Sequence, residues 1–232
     1  MRLSPYKHIF FDLDRTLWDF DRNSSETIHE LFFKYKLDRF IKNPEDFIQV
    51  YHEVNLQLWS FYRKGEMTKD ILRTKRFRKS LAHFGIKDEE LAEKIGADYL
   101  DISPNKTLLV PHAREILDYL QPGYCLHIIT NGFLTTQQIK LKNCQLDQYF
   151  QSLTTSEVVG HNKPRPEIFH QALSSVNARK KESLMIGDDL EVDILGARKF
   201  GIDQFFLNRD EVFHNDLVTY EYNSLLALKD IL

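Results

Sequence analysis

The stretch His8-Ile9-Phe10-Phe11-Asp12-Leu13-Asp14-Arg15-Thr16 decides the fold. A short apolar run ends abruptly at two carboxylates with one residue between them. Such a run, bounded by charge, reads as a strand buried on both faces, with Asp12 at its carboxyl end. Two acids directly after a buried strand are costly without a partner, so the pair needs something to neutralise it. Two residues apart on extended chain, the two side chains project to the same side.

Further along, residues 124–130 repeat the pattern and are broken by Asn131-Gly132. Residues 184–186 form a third such run, ended by Gly187, and residues 204–207 a fourth; residues 152–156 are a weaker strand candidate. Between them, residues 113–120, 134–141, 166–176 and 190–200 have the apolar spacing of amphipathic helices, with Pro166 suited to a first turn. Strands alternating with helices predict an α/β fold: a Rossmann-like parallel sheet flanked by helices. Residues 18–104 differ, because they hold helix signals and no good strand. Asn23 with Glu26 has the form of a capping box, Asn43-Pro44 opens a second helix, and Thr68 and Asp88 cap a third and a fourth. The expected organisation is therefore a core from residues 1–17 and 105–232, interrupted by an all-helical insertion at 18–104.

Composition narrows the classes. Hydrophobic residues make up 42% of the 232, enough for a packed core, and the net charge of −3 supplies no basic field for a nucleic-acid polymer. Cys125 and Cys144 cannot form a disulfide framework, and no run approaches the roughly 18 apolar residues of a membrane span. Asp12 and Asp14 interrupt the first apolar run, so no signal peptide is expected. The expectation is a cytoplasmic protein, a monomer or weak homodimer, with no membrane contact.

The polar residues fall at strand ends. Asp12, Asp14 and Thr16 follow one strand, Thr130 and Asn131 another, and Asp188, Asp189 and Asp193 a third. Ligands of parallel α/β sheets bind beyond the carboxyl ends of the strands, so these residues converge if their strands are neighbours. Lys163, in a loop before a helix, has the reach to join them. Clustered carboxylates repel and favour a hard cation with oxygen ligands, such as Mg²⁺. A lysine and a threonine hydroxyl beside that ion suit a phosphoryl group. Each residue also has a bland reading: an Asp as a turn residue, Thr130 as a β-branched strand residue, Lys163 as a solvated cation. All of them in this order are harder to dismiss.

Together these residues resemble the four motifs of the haloacid dehalogenase-like (HAD) hydrolase superfamily: Asp12-Leu13-Asp14-Arg15-Thr16, the strand ending at Thr130, Lys163 before Pro164, and Gly187-Asp188 with Asp193. The resemblance runs nearly end to end and implies that the helical insertion is a C1-type cap able to close over the crevice. It implies Asp12 as nucleophile, Asp14 as general acid and base, and Lys163 as neutraliser of the phosphorylated intermediate. It implies phosphate binding by Thr130, Asn131 and Lys163, and Mg²⁺ held by Asp12, Asp188 and the Asp14 carbonyl, with Asp193 and Thr16 supporting from behind. A closer resemblance, to the pyrimidine 5′-nucleotidase branch, rests on residues 10–20, Leu58-Trp59, Arg76-Phe77, residues 129–133 and residues 193–196. It implies a nucleoside monophosphate as substrate. Arg76 and the aromatic residues Trp18, Phe20, Trp59, Phe61 and Tyr62 are candidates to meet that substrate, although aromatics on helices are more often core. Arg15 departs from the Gly or acid common at its position.

Rival readings remain open at this stage. A hydrolytic dehalogenase shares the scaffold but lacks an acid at the place of Asp14. A receiver-type domain is shorter and has no helical insertion. A phosphatase or phosphomutase for another small phosphate ester, such as a sugar phosphate or phosphoglycolate, uses the same chemistry, and a non-catalytic nucleotide-binding regulator would keep the fold with a dead site.

Overall fold

The computed structural model describes residues 5–232. In chain order the elements are β1 (His8–Phe11), α1 (Phe20–Lys34), α2 (Pro44–Arg63), α3 (Lys69–His83), α4 (Glu89–Ile102), α5 (Ala113–Leu120), β2 (Cys125–Thr130), α6 (Leu134–Asn143), β3 (Phe150–Thr155), α7 (Ser156–Val159), α8 (Pro166–Ser175), β4 (Ser183–Gly187), a π-type stretch (Leu190–Leu195), α9 (Gly196–Phe200), β5 (Asp203–Leu207), β6 (Tyr220–Tyr222) and α10 (Leu228–Ile231). The chain folds into two compact units, one from the chain up to Phe20 with Thr107–Leu232, the other from Asp21–Lys106.

The first unit is an α/β sandwich on a parallel six-stranded sheet of order β3-β2-β1-β4-β5-β6. From β1 the chain steps outward to β2 and β3, then returns to the other side of β1 for β4. The order thus reverses at β1, and the carboxyl ends there form the crevice in which open α/β sheets bind ligands. Alternation along each strand divides the core in two. Ile9, Phe11, Leu126, Ile128, Leu184 and Ile186 pack into one layer with α5, while Phe10, Ile129 and Met185 pack into the other with α8. Burying Phe11 completely contributes about 2–3 kcal/mol, so the strand signal and the core signal have one cause.

Residues 18–20 stay with the sheet unit because the outgoing and returning chains pair there: Val110 N donates to Leu17 O (2.9 Å), Asp19 N to Leu108 O (3.0 Å), and Trp18 bridges Leu109. The Asn23–Glu26 capping box does not form. Helix α1 already starts at Phe20, so Asn23 is interior, buried, and its carbonyl accepts from Thr27 Oγ1 (2.8 Å). Asn43, Thr68 and Asp88 do cap α2, α3 and α4 with their side chains.

The second unit is all-helical. Ile28, Leu31 and Phe32 of α1, Phe47 and Tyr51 of α2, Phe77 and Leu81 of α3, and Ala92, Ile95 and Tyr99 of α4 share one core. Their three- and four-residue spacing is what turns one apolar stripe per helix inward. Among the described residues, no helix is long and apolar enough to cross a membrane.

Candidate active site

Register brings the strand-end residues together. Phe11 lies level with Ile128 on β2 and Ile186 on β4, and Asp12 N donates to Ile186 O (2.9 Å). Asp12, Asp188 and Asp193 each offer a carboxylate oxygen, and the three oxygens lie within 4.8 Å of one another. Asp193 approaches this closely because residue 187 is glycine: a Cβ there would lie 2.5 Å from Asp193 Cβ. The π-type stretch carries Asp193 inward, with its N–H bonded to Asp189 O (2.9 Å). Asp189 itself turns back to accept from Glu191 N and Val192 N, the ordinary duty of a helix cap.

Lys163 is buried at 1% exposure, and three oxygens surround its ammonium. They are Asp12 Oδ1 (2.6 Å), Asp193 Oδ1 (2.7 Å) and the carbonyl of Ile129 (2.7 Å). Asn131 fixes the lysine's backbone, accepting from Lys163 N (2.7 Å) and donating from Nδ2 to Lys163 O (3.0 Å). Thr16 Oγ1 donates to Asp188 Oδ1 (3.0 Å), which orients that carboxylate.

The electrostatics leave negative charge in excess. Burial pushes the Asp12 carboxyl up to about 7 against the pull of Lys163, with Asp193 and Asp14 adding repulsion. Burial also raises Asp188, helped by Asp12 and Asp193, and raises Asp193. Burial works against the Lys163 ammonium, yet Asp12 and Asp193 more than offset it and its pKa rises. Arg15 pulls the other way on Asp188, yet all three carboxyls stay raised, so Lys163 and Arg15 together do not balance the group. A divalent cation among the carboxylates would, and the all-oxygen donor set fits Mg²⁺.

Residues 6–201 match the family of haloacid dehalogenase-like hydrolases. The chain belongs to that family. It is 34% identical over 201 residues to pyrimidine 5′-nucleotidase YjjG of Escherichia coli, covering 86% of this chain and 85% of that protein. It is 31% identical over 231 residues to the glyceraldehyde 3-phosphate phosphatase of Pyrococcus furiosus, covering 93% and 86%. A magnesium-bound crystal structure of the HAD-hydrolase YfnB of Bacillus subtilis superposes with a TM-score of 0.87 at 28% identity, covering 97% and 98%.

Within this HAD-family crevice the other expected residues lie as follows. Asp14 does not turn its carboxylate to the Asp12–Asp188–Asp193 group. Its oxygens meet Lys140 Nζ (2.5 Å) and Gln137 Nε2 (2.8 Å) from α6. Thr130 Oγ1 accepts from Gly132 N (3.0 Å) and Gln137 Nε2 (2.8 Å), which leaves its own proton to donate. Gln137 and Lys140 were absent from the sequence reading. Their signal was an i, i+3 polar pair on an amphipathic helix, which ordinarily faces water. Trp18, an expected substrate contact, is corrected: it is fully buried in the sheet core, with Lys140 Nζ 4.0 Å from its ring centroid, so its face is covered. Arg76 is buried in the helical unit, bonded to Tyr51 Oη (3.2 Å) and Asn55 Oδ1 (3.4 Å) and set over the Tyr99 ring (5.1 Å).

Proposed function

We propose that this HAD hydrolase is a magnesium-dependent phosphomonoesterase that works through an aspartyl-phosphate on Asp12 and takes pyrimidine nucleoside monophosphates. The observation that carries the reading is the carboxylate of Asp12 at the strand-order reversal, with the Lys163 ammonium at 2.6 Å and Asp188 and Asp193 beside it. A buried carboxylate with a fixed countercharge and further carboxylates beside it suits a nucleophile that works next to a cation.

An Asp12 oxygen attacks phosphorus, the bond from phosphorus to the ester oxygen breaks, and Asp14 gives that oxygen a proton. Water then attacks the phosphorus of the aspartyl-phosphate. Asp14 takes the water's proton, the bond to Asp12 breaks, and phosphate leaves. Lys163 neutralises charge on the Asp12 side, and Thr130 and the Asn131 N–H hold phosphoryl oxygens. Asp12, Asp188 and the Asp14 carbonyl would hold Mg²⁺, with Asp193 and Thr16 in support. When bound, the ion supplies Lewis-acid polarisation of the phosphoryl oxygens. The reading carries with it a small-molecule substrate and a monomer or weak homodimer in the cytoplasm.

The similarity to YjjG supports the nucleotide. The similarity to a glyceraldehyde 3-phosphate phosphatase over most of both chains supports a sugar or triose phosphate as the second reading. Phosphate release from a panel of nucleotides and sugar phosphates separates them. Thymidine and uridine monophosphates are expected at the top, with activity lost on chelation and restored by Mg²⁺. A sugar phosphate ahead by orders of magnitude overturns the nucleotide; release that survives dialysis against chelator overturns the metal; no release from any ester makes the site a binding site only.

A further inference from the structure

The carboxylate of Asp14 is gripped on both oxygens from a single helix. Lys140 Nζ lies 2.5 Å from Oδ1, and Gln137 Nε2 donates to Oδ2 at 2.8 Å. The two donors stand three residues apart on α6 and therefore share a face. Lys140 is 5% exposed and Gln137 fully buried, so neither is a solvated helix residue. Lys140 is held from behind as well. Its ammonium lies 4.0 Å from the Trp18 ring centroid and 5.9 Å from that of Phe20, a pair of aromatic faces that fixes a cation without taking its donors.

Gln137 does a second thing. The same amide nitrogen donates to Thr130 Oγ1 (2.8 Å), tying the hydroxyl at the end of β2 to the carboxylate beyond β1. The space it occupies exists because residue 132 is glycine. A Cβ there would lie 2.5 Å from Gln137 Cδ and would overlap its amide nitrogen. The glycine after Asn131 thus opens the strand end for an amide rather than merely turning the chain.

We infer that Gln137 and Lys140 are positioning residues for Asp14, holding its carboxylate in one orientation for delivery to the leaving oxygen and then to water. This rests on the reading of Asp14 as the general acid and base. A carboxylate free to rotate spends part of its time misaimed, and orientation of this kind is worth orders of magnitude in rate. A buried ion pair kept for stability alone predicts something different, since such pairs are close to neutral for stability and indifferent to the leaving group.

The test uses the full chain with Mg²⁺ and four variants: Lys140→Met, Lys140→Arg, Gln137→Met and Asp14→Asn. Two substrates are compared: the best alkyl phosphate of the panel, whose leaving oxygen needs a proton, and p-nitrophenyl phosphate, whose phenolate leaves without one. For Lys140→Met and Gln137→Met, kcat/KM on the alkyl ester is expected to fall about 10- to 100-fold. On p-nitrophenyl phosphate the fall for Lys140→Met should be no more than about threefold, with the inhibition constant of inorganic phosphate changed no more than that; Gln137→Met, which also releases Thr130 Oγ1, should still lose clearly more on the alkyl ester than on p-nitrophenyl phosphate. Lys140→Arg, which keeps the positive charge, should lose less than Lys140→Met. Equal losses on both esters, or unchanged kcat/KM on the alkyl ester, overturn the inference. If Lys140→Met fails to fold, Gln137→Met decides alone, since it leaves the ion pair in place. Full turnover in Asp14→Asn overturns the acid–base reading itself. A dead Asp14→Asn beside a normal Lys140→Met and Gln137→Met overturns only the positioning role.

Discussion

Lys163 in the sheet unit and Arg76 in the helical unit are both buried cations, 1% and 6% exposed, and their surroundings are opposite. The Lys163 ammonium lies against two carboxylates and a carbonyl. Arg76 meets a phenol, an amide oxygen and an aromatic ring, all neutral. A guanidinium is weakly hydrated and stacks on rings, so it tolerates burial among neutral groups in a way an ammonium does not. Burial of charge is therefore not what distinguishes the crevice. Its mark is charge that stays unbalanced with its cations in place: Asp12, Asp188 and Asp193 all keep raised carboxyls despite Lys163 and Arg15.

The sharpest way to break this contrast is at Asp12. Asp12→Asn removes one of three repelling carboxylates and the nucleophile together. Turnover is expected to fall by at least about 10⁴-fold while the melting temperature holds or rises. Phosphate-release assays on the folded variant check it, and residual activity near wild type would end the nucleophile assignment. Next comes Lys163→Met, which leaves two buried carboxylates facing each other uncompensated. Urea denaturation without metal should show a loss of about 3–5 kcal/mol, together with loss of activity. Arg76→Met should be milder, about 1–3 kcal/mol, the expense of stranding Tyr51 Oη and Asn55 Oδ1. If Arg76→Met matches Lys163→Met in stability, the distinction between balanced and unbalanced charge is wrong.

A third kind of buried group acts through pH rather than through a lost partner. His127 is fully buried, stacked on Phe10 (4.7 Å) and His8 (5.3 Å), and bonded to His8 (3.0 Å) and Ser152 Oγ (3.0 Å). Burial, with the neighbouring His8, pushes its pKa down to about 4 from 6.5. The fold therefore keeps it neutral, whereas the unfolded chain takes up a proton below pH 6.5. Its contribution is complete above that value and is lost as pH falls toward 4. The melting temperature should drop over this window, and His127→Gln should flatten part of the drop. An equal slope in the variant would assign the acid sensitivity elsewhere.

Much of this was legible in the chain. Four strands announce themselves because a strand buried on both faces must be apolar throughout, as in residues 8–11 and 184–186. β3 is fainter because Ser152, Thr154 and Thr155 dilute it at the sheet's edge, and Tyr220–Tyr222 was not read at all, being three residues of half-exposed edge. The start of α1 is not legible locally, because chain pairing at residues 17–19 outweighs the capping pattern at Asn23. In the crevice, Asp12, Lys163 and Asp188 stand at strand ends or in a strand-end loop, where order alone points to them. Lys140 and Gln137 sit mid-helix, and only the fold reveals that their face of α6 is turned to Asp14 rather than to water. The inward swing of Asp193 depends on a π-type turn that helical spacing does not encode.

Trp18 is one of only two tryptophans in the protein, the other being Trp59. With Lys140 Nζ 4.0 Å from the centre of its indole, its fluorescence is a built-in optical reporter on the residue that grips Asp14. In a Trp59→Phe background, rapid mixing with a phosphate ester would turn any shift of that ammonium into a change of emitted light, with no label attached. The protein thus carries its own lamp beside the contact that holds the acid in place.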